Sequence, residues 1–66
     1  MSDHYVDLRP DHTRSVEVEW EGHWYAGELQ AYRRQAEEWS GWVRFTTGVL
    51  ETRIGWFRQD RIRGIR

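Results

Sequence analysis

The 66-residue chain contains no Cys, no Lys, no Asn and one Pro. Without Cys there are no disulfides, no thiolate metal sites and no thiol catalysis. Small secreted domains usually depend on such staples, so the location expected from composition is cytoplasmic. No apolar run approaches the roughly 20 residues of a membrane helix, and the N-terminus has no apolar signal core. A membrane partner is therefore not expected. The six Gly are scattered one to a turn and form no phosphate loop. His23 has no second His at metal spacing, and Ser15 and Ser40 have no paired base in any recognisable motif. The carboxylates of Glu17, Glu19 and Glu28 fall on a strand's polar face, where acid–base work would need a cleft. The expectation is a protein that is not an enzyme and takes no cofactor and no metal.

What the chain has instead is rings: five Trp, three Tyr and two Phe. A domain of this size buries only about 60% of its unfolded surface. Each large ring contributes about 150–250 Å² of burial, so aromatics must carry the core. The formal net charge is −1, which argues against non-specific nucleic-acid binding. The charge is unevenly spread. Residues 1–30 hold seven acids against Arg9 and Arg14, whereas residues 31–66 hold eight Arg against Glu37, Glu38, Glu51 and Asp60. The simplest expectation is that acidic and basic strands pair across one sheet. An Arg-only basic set is what a GC-rich genome produces, yet guanidinium groups also stack and fork where ammonium groups cannot.

Residues 1–14, polar and without period, read as a flexible N-terminal tail. Asp3, His4, Asp7, Asp11 and His12 within it could be drawn as a metal cluster, but nothing in the sequence fixes their geometry. "VEVEW" (16–20) alternates strictly and predicts a half-buried strand, followed by a Gly turn at 21–23. "WYAGELQAYRR" (24–34) predicts a long bent strand with Tyr25, Gly27, Leu29 and Ala31 on one side. A helix over 28–38 is the alternative, because those residues are mostly good helix formers. Residues 34–41 read as a hairpin loop, and "GWVRFTTG" (41–48) as a strand with Val43 and Phe45 on one face and Trp42, Arg44 and Thr46 on the other. "TRIGWF" (52–57) is a fourth strand, "RQD" (58–60) a 3₁₀ turn, and "RIR" (61–63) a short last strand. The expected core is Val16, Val18, Trp20, Tyr25, Leu29, Val43, Phe45, Ile54, Phe57 and Ile62. Five short strands with tight turns predict an all-β fold, a small barrel or a pair of orthogonal sheets.

This order of elements resembles the SH3-like barrel, including its SH3 and Tudor-like members. "GWFRQDRIR" (55–63) is similar to the SH3 ending, with Gly55, Phe57 and Ile62 in the matching places and Arg58 where a Pro is usual. "EGHWYAGEL" (21–29) is similar to the Tudor-type hairpin, in which a Gly turn precedes an aromatic pair. "VRFTTG" (43–48) is similar to the strand that follows, with Thr46, Thr47 and Gly48 in place of the usual acidic-aromatic-Gly turn. The resemblance spans residues 15–63 and implies a five-stranded SH3-like barrel over 15–66 after the tail.

If Tyr25, Gly27 and Leu29 face inward, Trp24 faces out. Trp24 and Trp42 would then form the centre of a binding face with Arg44 beside them, joined by Trp39 and Tyr32. The competing reading puts one of these Trp residues into the core or over an open barrel end. Two functions follow. The first is a protein- or peptide-interaction module working through exposed aromatics flanked by Arg. The second is a nucleic-acid-binding module using Arg33, Arg34, Arg44, Arg53, Arg58, Arg61 and Arg63 on phosphates and rings on bases. The chain itself is expected to be a monomer or weak homodimer.

Overall fold

The computed structural model describes residues 4–64, and among them there is no α-helix. Six strands form one antiparallel sheet: β1 (His4–Asp7), β2 (Arg14–Trp20), β3 (His23–Gln35), β4 (Glu38–Gly48), β5 (Glu51–Arg58) and β6 (Ile62–Gly64). A single 3₁₀ turn, Gln59–Arg61, joins β5 to β6. The sheet runs in the order β5-β4-β3-β2-β6 and is not closed by a ladder between β5 and β6. The helix alternative for 28–38 is excluded. All-β architecture was expected, but there are six strands rather than five. The extra one, β1, falls inside the segment read as a tail: His4–Asp7 pairs with Ala31–Arg34 of β3. Residues 1–3 of that segment lie outside the described residues.

β3 is the spine. One edge pairs with β2 along its first half and with β1 along its second, while the other edge pairs with β4 from Gly27 to Gln35. The predicted loop over 34–41 is almost entirely strand. Gln35 pairs directly with Glu38, and the turn is only Ala36–Glu37. Both turn residues have positive φ, 49° and 67°, the backbone that matches the right-handed twist of a two-residue hairpin. Glu21–Gly22 makes the same kind of turn between Trp20 and His23. The sequence hid the second hairpin because neither Ala36 nor Glu37 is a residue that favours positive φ.

The core lies on one face of the sheet. Val16, Val18, Val43 and Phe45 are buried, with Trp20, Tyr25, Leu29, Phe57 and Ile62 packed against them. Phe45 is the hub: its ring centroid lies 6.2 Å from Trp20, 6.0 Å from Tyr25 and 5.4 Å from Phe57. Gly27 sits opposite Phe45 across the ladder. A Cβ there would stand 2.9 Å from the Arg44 carbonyl oxygen and 3.0 Å from Phe45 Cβ, so only Gly permits the two strands to approach this closely.

Nine of the ten expected core residues belong to this cluster. Ile54 does not: it is 50% exposed. Strand alternation explains this, since Phe57 packs inward on β5 and Ile54, three residues earlier, must face the other way. Ala31 was read on the same side as Tyr25, Gly27 and Leu29, yet it is buried on the other side, beneath Trp42. A β-bulge is responsible. Leu29 pairs with Val43 but Ala31 pairs with Trp42, so Gln30 is an extra residue in β3. Beyond Gln30 the faces of β3 exchange: Ala31 lies under Trp42 on the outer face, and Tyr32 turns to the core side.

The acidic and basic halves scarcely pair. Of the four ion pairs among the described residues, Asp7–Arg9, Glu38–Arg58 and Glu51–Arg53 are each internal to one half. Only Glu17–Arg63, at 2.7 Å, joins the two.

Two measurements test this packing. Phe45→Ala should destabilise the domain by about 3–5 kcal/mol, enough to unfold a chain this short, as read by thermal circular dichroism. Replacing Ala36–Glu37 by Asn-Gly should stabilise it by about 1 kcal/mol by relieving two left-handed residues; an unchanged or lowered melting temperature would contradict the turn.

Candidate functional site

The β3–β4 hairpin arm carries rings on both faces, because a strand alternates and Gln30 resets the alternation. On the outer face Trp42 pairs across the ladder with Trp56, ring centroids 5.4 Å apart. Tyr5 of β1 meets Trp56 edge-on at 6.3 Å. The Arg33 guanidinium lies 4.0 Å from the centre of the Trp56 ring. Tyr5, Arg9, Trp42 and Trp56 enclose a cleft of about 230 Å³. Arg44, exposed, is two residues along β4 from Trp42 on the same face. Its cross-strand partner Glu28 does not pair with it; that carboxylate instead accepts hydrogen bonds from Gln30 Nε2 (3.0 Å) and Thr13 Oγ1 (3.3 Å).

On the opposite face Tyr32 and Trp39 stand 5.4 Å apart. With Leu29, Ser40, Gly41, Gln59 and Ile62 they line a largely apolar groove of about 180 Å³. Gly41 forms its floor: a Cβ there would lie 2.6 Å from Leu29 Cδ1 and 2.8 Å from Ile62 Cδ1. Both cavities are smaller than the roughly 300–1,000 Å³ typical of sites that enclose a small molecule. Each has room for a side chain or two of a partner. Among the described residues no three His, Asp or Glu side chains gather as a metal site, and no helix is long and apolar enough to cross a membrane.

The residues singled out from sequence are thus distributed over three places. Trp42 and Arg44 share the outer face as expected, but Trp24 is not beside them. Trp24 pairs with Glu19, whereas Trp42 pairs with Ala31, seven residues further along β3, a separation of about 20 Å at strand rise. Trp24 is covered instead by the Arg63 guanidinium, 4.1 Å from its ring centre, and Arg63 is in turn held by Glu17. Trp39 and Tyr32 do meet each other, but in the groove on the other face.

The Arg residues considered for phosphate contact are mostly engaged. Arg33 stacks on Trp56, Arg53 on Trp20 at 4.1 Å and Arg63 on Trp24, and Arg58 pairs with Glu38 at 3.3 Å. Arg34 and Arg61 have no ion pair among the described residues. Sequence reasoning missed Tyr5, Arg9 and Trp56 as members of the outer cluster. The alternation of Ile54 and Trp56 against Phe57 was a usable signal for Trp56. Nothing local announced Tyr5, because a four-residue strand in a polar segment has no period to read.

Arg9 fixes the end of β1. Its Nε and a terminal guanidinium nitrogen both donate to the Asp7 carboxylate at 3.0 Å, and its backbone N–H donates at 2.9 Å. The side-chain hydrogen bonds from Arg9, then the backbone one, hold the Asp7 carboxyl below the usual carboxylate range. A depressed folded-state pKa means that this contact contributes above the unfolded-state pKa and is lost as pH falls through the folded value. Arg9→Ala should raise the Asp7 titration towards the ordinary range without fully restoring it, because the backbone N–H of residue 9 still donates, as followed by carboxyl carbon NMR; an unchanged titration would show that the side-chain pair does not form in solution. Compared with known proteins, the chain matches no family model, no curated protein and no solved structure.

Proposed function

We propose that this chain is a non-enzymatic protein-interaction module of the SH3-like barrel type, acting in the cytoplasm. The strand order β6-β2-β3-β4-β5, with a 3₁₀ turn between β5 and β6, supports the barrel reading. The observation that carries the function is the outer cluster. Trp42, Trp56 and Tyr5 are held by ladder pairing yet keep part of their surface open, and Arg33 lies stacked against them. Rings with few rotors lose little entropy on binding, and a stacked guanidinium retains donors for a partner's carboxylate or carbonyl, which is the make-up of an interface hot spot. A half-exposed aromatic group with no role in contact would mainly invite unwanted association.

The binding face proposed is therefore Trp42, Trp56, Tyr5, Arg33 and Arg44, with Trp24 outside it. The groove of Tyr32 and Trp39 is a second, separate candidate surface. Nucleic-acid binding is the alternative. It is weakened by the pairing of Arg53, Arg58 and Arg63 with carboxylates of the chain itself.

The test is a selection of displayed peptides against the full chain, run beside a titration with single-stranded oligonucleotides and followed by Trp fluorescence. Peptide binding should be recovered, should vary little between about 50 and 200 mM salt, and should weaken by about 2 kcal/mol or more on Trp42→Ala. Trp24→Ala should leave it unchanged. Oligonucleotide binding that falls steeply over the same salt range would replace this reading with the alternative.

A further inference from the structure

β5 is a sheet edge. It runs eight residues, Glu51–Arg58, contains no Pro and pairs on one side only, with β4, among the described residues. Proteins commonly guard such an edge with charged residues, Pro or a bulge; on β5 the charges are Glu51, Arg53 and Arg58, and the run Ile54–Phe57 between them is uncharged. Ile54 stands half exposed on the outer face of this strand. Beside the strand lies a cleft of about 400 Å³ lined by Trp20, Trp56, Phe57, Arg58, Asp60 and Arg61. Asp60 has no ion pair among the described residues.

We propose that two copies of the chain join through this edge, β5 antiparallel to β5, about a twofold axis at Gly55. A twofold axis normal to the sheet keeps each face on its own side, so residues that oppose one another must share a face. With Gly55 on the axis, Ile54 stands opposite the partner's Trp56, Arg53 opposite the partner's Phe57 and Thr52 opposite the partner's Arg58. Each contact occurs twice. On the outer face a β-branched side chain meets an aromatic one, a favourable cross-strand pair, and the exposed Ile54 gains cover. On the inner face Arg53, stacked on Trp20 of its own chain, comes beside the partner's Phe57. No like charges face each other.

Only with Gly55 on the axis does Ile54 face a ring; sliding by one pair sets it against its own copy in one direction, with Glu51 against Phe57, and against Arg58 in the other. The pairing would also carry the Trp42–Trp56 row across the axis, so that one apolar ribbon runs over both copies. It shares Trp56 with the binding face proposed above but rests on the backbone of the β5 edge, so loss of peptide binding on Trp42→Ala leaves it standing.

Sedimentation of the full chain over a range of concentrations tests the proposal. The expected result is a mass that rises reversibly towards twice that of the chain. Ile54→Lys, a change at an exposed position, should weaken the dimer about tenfold or more, because it enters the interface twice, while leaving the circular dichroism spectrum intact. The register is read separately with Cys variants in this Cys-free chain. Gly55→Cys should form a disulfide dimer, because opposed Cα atoms lie about 4.5–5.5 Å apart, and the new Cβ meets only Phe57 Cε2 at 3.8 Å. Ile54→Cys, whose counterpart lies on the diagonal at about 7–8 Å, should not. A chain that stays monomeric throughout would overturn the proposal, even if it captures an added strand-forming peptide at the same edge. So would a dimer that survives Ile54→Lys, or one that crosslinks at position 54 and not at 55.

Discussion

The close approach of β3 and β4 at Gly27 and Phe45 is the constraint on which the rest of the structure depends. Phe45 is 2% exposed and touches three other rings, one from each of β2, β3 and β5. The ring reaches this position because β3 offers no side chain opposite it. In a domain too short for a large core, one aromatic residue at the crossing of four strands provides most of the cooperativity that many aliphatic contacts provide elsewhere.

The same crossing orients the candidate site. β3 and β4 continue past the core as a paired arm. The bulge at Gln30 decides which rings of that arm point out and which point back towards Leu29 and Ile62. Trp42 is held under Trp56 and over Ala31 by the ladder rather than by the core, so its orientation survives without full burial. Three guanidinium groups, of Arg33, Arg53 and Arg63, lie about 4 Å from the centres of three different Trp rings. Stacking on half-exposed rings is a use of Arg that a Lys-bearing sequence would share less well.

Charge contributes little to the stability of the fold. The ion pairs are on the surface, where such contacts are each worth about 0–1 kcal/mol. The division of the chain into acidic and basic halves does not turn into a ladder of cross-strand pairs. It leaves instead an outer face where Arg33 and Arg44 flank rings, and a sheet edge where Asp60 and Arg61 stand beside an open cleft. Between β5 and β6 the sheet is open, with no ladder joining the two strands among the described residues.

The alternation of 16–20 and 42–46 determined the all-β class by itself, because a period of two places every second side chain in the core whatever surrounds it. It also located Val16, Val18, Val43 and Phe45, and it placed Trp42 and Arg44 on the face away from them. Local pattern could not reveal the type of the second hairpin, since Ala36 and Glu37 adopt positive φ only under the pull of the strands they join. Nor could it reveal the bulge at Gln30, which moves Tyr32 to the core side and Ala31 to the outer face beneath Trp42. The association of Tyr5 with Trp56 and the separation of Trp24 from Trp42 were decided by tertiary structure alone. Both follow from ladder register, which is set by pairing between segments distant in the chain, and no stretch of sequence read in isolation carries that information.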